Sequence, residues 1–177
     1  IVLSLTASLI TRPASQTEGT DLSSKSALLN HGLGLYKAKK YKDAVDKLQA
    51  ALDMDPENAQ IQHYLTTAQE AYYFTAGRKD FATARWDAAI IKFTQVLAIN
   101  PNQEKAKEYL EVSKVRSEAS QYFAQGKQRY DRGEWKQAVE EFNAAIKIQP
   151  DYQDAKKYLS DAKDKMASAD YFAQGKE

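Results

Sequence analysis

Residues Tyr122 to Pro150, YFAQGKQRYDRGEWKQAVEEFNAAIKIQP, decide the fold. Within this stretch Trp135, Ala138, Val139, Phe142, Ala145 and Ile146 recur at spacings of three and four, the stripe of an amphipathic helix facing a core. Ahead of it runs a second helical segment. That segment carries Gly126, where a missing side chain lets a partner helix approach closely, and it stops near Gly133, a residue suited to the turn that ends a helix. Pro150 closes the unit, because proline cannot continue a helix without losing a hydrogen bond and clashing with the preceding turn. The stretch therefore reads as two antiparallel helices and a tight turn.

Upstream the same unit returns in register. Gly32, Gly77 and Gly126 are each followed after twelve residues by Ala44, Ala89 and Ala138, and after twelve more by Pro56, Pro101 and Pro150. Between Gly and Ala lie the pairs Tyr36 and Tyr41, Phe81 and Trp86, and Tyr130 and Trp135; four residues past each Ala stands Leu48, Phe93 or Phe142. The spacing predicts turns near Lys39, Ala84 and Gly133, with second helices starting around Tyr41, Trp86 and Trp135. In order, Tyr122, Gly126, Ala138, Phe142 and Pro150, then Tyr73, Gly77, Ala89, Phe93 and Pro101, and more loosely Leu28, Gly32, Ala44, Leu48 and Pro56, resemble the tetratricopeptide repeat. The resemblance covers roughly Ser26 to the C-terminus. It implies an all-α fold, an α-α superhelix of about three helix-pair repeats with a C-terminal partial repeat helix. This chain departs from the family pattern in two places. His31, Ala76 and Gln125 replace the Leu before Gly, and the following aromatic falls four residues after Gly instead of three.

The repeat is also longer than the family's 34 residues, with the prolines 45 and then 49 residues apart. Each Pro is followed by a Tyr-Leu pair, Tyr64-Leu65, Tyr109-Leu110 or Tyr158-Leu159, but Leu65 precedes Gly77 by twelve residues while Leu110 precedes Gly126 by sixteen. Four residues are close to one helical turn, so the insertion lengthens a helix with little rotation of its faces. First helices of roughly 25 to 30 residues, about 40 Å long, are expected to alternate with short second helices.

Composition agrees with a helical reading and excludes several classes of function. Only seven glycines and four prolines interrupt 177 residues, and stretches rich in Ala, Lys, Glu, Gln and Leu run between them. The 25 basic residues nearly balance the 24 acidic ones, which leaves no net field to hold nucleic acid by counterion release. With no cysteine there is no disulfide or thiolate, and cytoplasm, periplasm and exterior all stay open as compartments. No cofactor or metal is expected. His31 and His63 fall on different helices, and Glu140, Glu141, Asp151 and Asp154 sit among lysines as solvated faces. Neither a phosphate loop nor a nucleophile elbow is present, so the chain reads as no enzyme.

Residues 1–24 are read as an apolar arm, IVLSLTASLI, followed by a polar linker, and residues 25–177 as the repeat domain with a partial repeat from 151. The arm is too short to be a transmembrane segment. It is either the remnant of a signal peptide, which would place the protein in the periplasm or outside the cell, or an assembly arm. At the other end Tyr171 to Lys176 repeat Tyr122 to Lys127 without a change. This half repeat reads as part of a longer array or as a simple capping helix, or else Tyr171 and Phe172 dock on another protomer head to tail, which makes them candidates for self-association.

Steps of three and four along the first helices project Leu29, Leu33 and Tyr36, then Phe74, Arg78 and Phe81, then Phe123, Lys127 and Tyr130 onto one inner face. Such a face suits a peptide or helix, although Phe74 and Phe123 serve equally well as core between repeats. Co-chaperone members of the family hold a C-terminal carboxylate with an Asn directly after the Gly. Leu33, Arg78 and Lys127 stand there in this chain, which speaks against that role. The expected function is a non-catalytic scaffold or adaptor that binds a protein partner on the repeat surface. The alternative is a structural subunit, a homo-oligomer that assembles head to tail into an array or filament.

Overall fold

The computed structural model describes residues 14–174, with side chains described over residues 24–172; the expected arm of residues 1–10 lies outside them. Among the described residues there are seven helices and no strand: α1 (Ala14–Lys37), α2 (Tyr41–Asp53), α3 (Ala59–Ala82), α4 (Trp86–Ile99), α5 (Glu104–Asp131), α6 (Trp135–Ile148) and α7 (Gln153–Gln174). Long and short helices alternate as the spacing predicts, with 24 residues in α3 and 28 in α5 against 14 in α4 and 14 in α6. One expectation is corrected. The polar stretch assigned to a linker as far as Ser24 is helical from Ala14. Once the packed turns around Gly32 form, each residue added to the helix end gains a hydrogen bond without a new nucleation step. Lys25 also ties the helix down, its Nζ lying 2.7 Å from the Asp55 carboxylate in the turn after α2. That ammonium, with the Asn58 amide, holds Asp55 below the usual carboxylate range.

The three first-to-second-helix turns share one backbone solution. Lys39, Ala84 and Gly133 adopt left-handed φ of 60°, 55° and 75°. The next residue's N–H then reaches back five positions: Lys40 to Leu35 at 2.9 Å, Arg85 to Asp80 at 2.9 Å and Glu134 to Arg129 at 3.0 Å. These are Schellman closures, which satisfy carbonyls the helix end would leave bare. An ion pair brackets two of the turns with its signs exchanged. Asp80 pairs with Arg85, and Arg129 with Glu134.

The chain divides into two compact units, Ile1–Tyr72 and Tyr73–Glu177, the division falling inside α3. In the first, Ala44, Leu48, Leu65 and Ala68 are buried, with Leu29 and Tyr36 packed against them. In the second, Phe93 and Phe142 are fully buried. Each sits in the notch left by a glycine of the preceding helix. A Cβ on Gly126 would lie 2.6 Å from Phe142, and one on Gly77 would lie 3.0 Å from Phe93. The glycines are thus the holes into which the second helices place their largest side chains. Ser113, Ser117 and Ala119 of α5 are buried, and Ser117 donates a hydrogen bond to Asp87 at the start of α4.

Candidate functional site

Within the second unit, α3 and α5 enclose an open cleft of about 480 Å³. Phe74 and Phe81 reach it from α3, two turns apart, and Tyr109 reaches it from the second turn of α5. Tyr109 is the keystone of the floor. Its ring stacks on Phe93 with centroids 5.0 Å apart and planes 7° from parallel, and it meets Phe81 edge-on at 4.9 Å. Such contacts fix ring orientation and add about 0.5 to 1.5 kcal/mol per pair beyond burial. Arg78 of α3 and Lys105, Glu108 and Val112 of α5 form the rim. Exposed neighbours on α5 pair off, Glu104 with Lys107 at 2.8 Å and Glu111 with Lys114 at 2.7 Å. Arg78, Lys105 and Glu108 make no ion pair among the described residues, so the rim presents uncommitted charge over an aromatic floor.

The next repeat builds a counterpart between α5 and α7. Phe123, Lys127, Tyr130, Tyr158 and Asp161 stand 49 residues after Phe74, Arg78, Phe81, Tyr109 and Val112. There, as at the first cleft, the aromatic rings pack on one another. Tyr158 meets Phe123 at 5.6 Å, Tyr130 at 5.5 Å and Phe142 at 5.6 Å. Lys127 lies over the Tyr158 ring at 5.3 Å, and Lys165 stands 5.6 Å from Trp135. The Tyr130 hydroxyl donates to the Asp161 carboxylate, and this bond, with burial as the second cause, pushes the phenol up to about 12.

The structure thus brings Phe74, Arg78 and Phe81 together at the open cleft and Phe123, Lys127 and Tyr130 together at the counterpart. Tyr36 lies in the first unit, packed on Tyr41 at 5.4 Å. Lys105, Glu108, Tyr109 and Val112 were missed by the projection from sequence, which followed only the Gly-bearing half of each first helix. The Tyr-Leu landmark was their signal, since Tyr64, Tyr109 and Tyr158 share one place in the repeat. Tyr171 and Phe172 are 78% and 71% exposed, whereas their sequence twins Tyr122 and Phe123 are half-buried. His31 and His63 are both exposed, and among the described residues no group of His, Asp and Glu is placed to hold a metal ion. No described helix is long and apolar enough to cross a membrane.

Helix pairs closed by Schellman turns, with a glycine notch under each second-helix aromatic, define a tetratricopeptide-type protein of the α-α superhelix class. Residues 34–134, more than half of the chain, match the family described as plant specific mitochondrial import receptor subunit TOM20, and the chain belongs to that family. No curated protein matches it. A solved structure of the first TPR of Spaghetti (RPAP3), bound to the HSP90 peptide SRMEEVD, is similar at 18% identity and a TM-score of 0.26, over 82% of this chain and 94% of that one.

Proposed function

We propose that the chain is a non-catalytic receptor or scaffold that holds a segment of a partner protein in the α3/α5 cleft. One observation carries this reading. Phe74, Phe81 and Tyr109 form an ordered aromatic floor beneath an Arg78 that makes no ion pair among the described residues, while one repeat later Lys127 lies over the Tyr158 ring and Tyr130 bonds to Asp161. Aromatic and Arg side chains at a preformed concavity are the usual anchors of protein recognition. The receptor role in the family's description supports the same reading. A random peptide library displayed on phage and selected against the full chain tests it. Enriched peptides should lose about tenfold in affinity when Arg78→Glu or Phe81→Ala is introduced into a chain whose helical circular dichroism is unchanged. Peptides indifferent to both substitutions would refute the assignment.

A second reading rests on Tyr171 and Phe172, whose exposure leaves two large rings available to another copy of the chain. It predicts sedimentation that grows heavier with concentration and returns to a single species in Tyr171→Ser/Phe172→Ser.

A further inference from the structure

The apolar surface of the α3/α5 cleft continues across α5. Val112, 41% exposed, lines that cleft and also a second one of about 330 Å³, where Val115, 43% exposed, meets Ile148 and Pro150 at the α6–α7 turn. Val112 and Val115 are three residues apart on one helix, so their side chains adjoin. Exposed valines joining two concavities are not needed for the core, which is filled by Leu110 on one side and Ser113 on the other.

The two clefts differ in sign. Around the first, Arg78 and Lys105 outnumber Glu108. Around the second, Glu111 and Asp151 outnumber Arg116, which keeps its charge while lying over Trp86 at 5.3 Å, and Asp151 makes no ion pair among the described residues. A uniformly acidic segment would be repelled by Asp151 and a uniformly basic one by Arg78 and Lys105.

We infer that the two clefts are one site, crossed by a single peptide segment with two apolar anchors, acidic beside the anchor held by Phe81 and Tyr109 and basic beside the anchor held by Val115 and Ile148. This rests on the receptor reading above and adds the chemistry of the partner. The anchors are separated by roughly the width of the helix between them, ~10 Å, which is about three residues of extended chain.

Three labelled peptides titrated against the full chain test it. All carry two Leu separated by a short Ser spacer; one has a Glu pair before the first Leu and a Lys pair after the second, one has Glu at both ends, and one has Lys at both ends. The mixed peptide should bind at least about fivefold more tightly than either uniform one at low salt. Val115→Asp, at an exposed position, should weaken it by about tenfold, and Asp151→Lys should weaken it about threefold while strengthening the all-Glu peptide. Equal binding of all three peptides would overturn the charge assignment. If Arg78→Glu weakens binding and neither Val115→Asp nor Asp151→Lys does, the second cleft is rejected and the receptor reading stands. Failure of all three peptides at millimolar concentration overturns the two-anchor site, and phage selections insensitive to Arg78→Glu would separately overturn the receptor reading.

Discussion

The sites at Tyr109 and Tyr158 start from the same aromatic floor, one repeat apart, and differ in whether a hydrogen bond joins their two long helices. At the first, a Phe and an aliphatic residue, Phe81 and Val112, occupy the positions that Tyr130 and Asp161 fill at the second. Phe81 has no hydroxyl to donate and the Val112 side chain no oxygen to accept, so no such bond joins them. Tyr130 and Asp161 make that bond, and Lys127 settles on the Tyr158 ring. Among the differences between the two sites, those at Phe81/Tyr130 and Val112/Asp161 decide whether a hydrogen bond joins the two long helices. Repeat proteins allow this, because each unit's packing depends chiefly on its immediate neighbours.

The largest test removes the shared keystone. Tyr109→Ala and Tyr158→Ala should each destabilise the chain by about 2 kcal/mol, from lost aromatic contacts and a partly collapsed cavity, read as a lowered denaturant midpoint. Only Tyr109→Ala should also abolish capture of the selected peptides. Equal loss of binding in both variants would dissolve the distinction between the clefts.

A graft comes next. Phe81→Tyr with Val112→Asp places the closing pair in the open cleft and should weaken peptide binding about tenfold, ~1.4 kcal/mol, with little change in stability because both groups find a partner. The reverse pair, Tyr130→Phe with Asp161→Val, should create a second binding stoichiometry at the α5/α7 cleft. Titration calorimetry distinguishes one site from two.

Below the clefts the turns differ as well. The open cleft is followed by Ala84 in left-handed backbone, the closed one by Gly133. A Cβ in that conformation costs about 1 kcal/mol. Ala84→Gly should therefore stabilise by somewhat less than 1 kcal/mol, and Gly133→Ala should destabilise by about that amount, measured by chemical denaturation.

How far the sequence reaches can be judged from these same residues. The turns at Lys39, Ala84 and Gly133, the starts of α2, α4 and α6 and the extra turn of α5 were all legible, since each is dictated by local spacing or by a steric notch such as Gly126 beneath Phe142. The α1 start was not, because helix propagation from packed turns overrides a polar composition. The open state of one cleft was also hidden. It depends on Val112 facing Phe81 and Asp161 facing Tyr130 across about thirty residues of chain, and a projection along single helices cannot pair them. Phe74 lines the α3/α5 cleft and meets Phe93 and Tyr109, and Phe123 likewise meets Phe142, Tyr152 and Tyr158, so the sequence placed both correctly among packed aromatics.

The smallest effect is the one that reports on the closing bond itself. Tyr130 is raised from 10.0 to about 12, first by its hydrogen bond to Asp161 and then by burial. The folded chain therefore keeps a proton through that interval which the unfolded chain releases. Stability falls with pH wherever the folded state binds more protons, so the bond contributes fully below about pH 10, declines as pH rises and is gone above about 12. Phenolate absorbance should show a late tyrosine step, and Asp161→Asn should bring that step down, because the neutral amide accepts the phenol's hydrogen bond more weakly and carries no charge to oppose the phenolate. Tyr130→Phe should delete the step. If it persists in Tyr130→Phe, the late proton belongs elsewhere and the closed cleft is not held by this bond. At the open cleft, Phe81 carries no proton, so the slope should appear there only in the Phe81→Tyr/Val112→Asp graft, which makes alkaline titration a direct reading of whether the graft has closed the cleft.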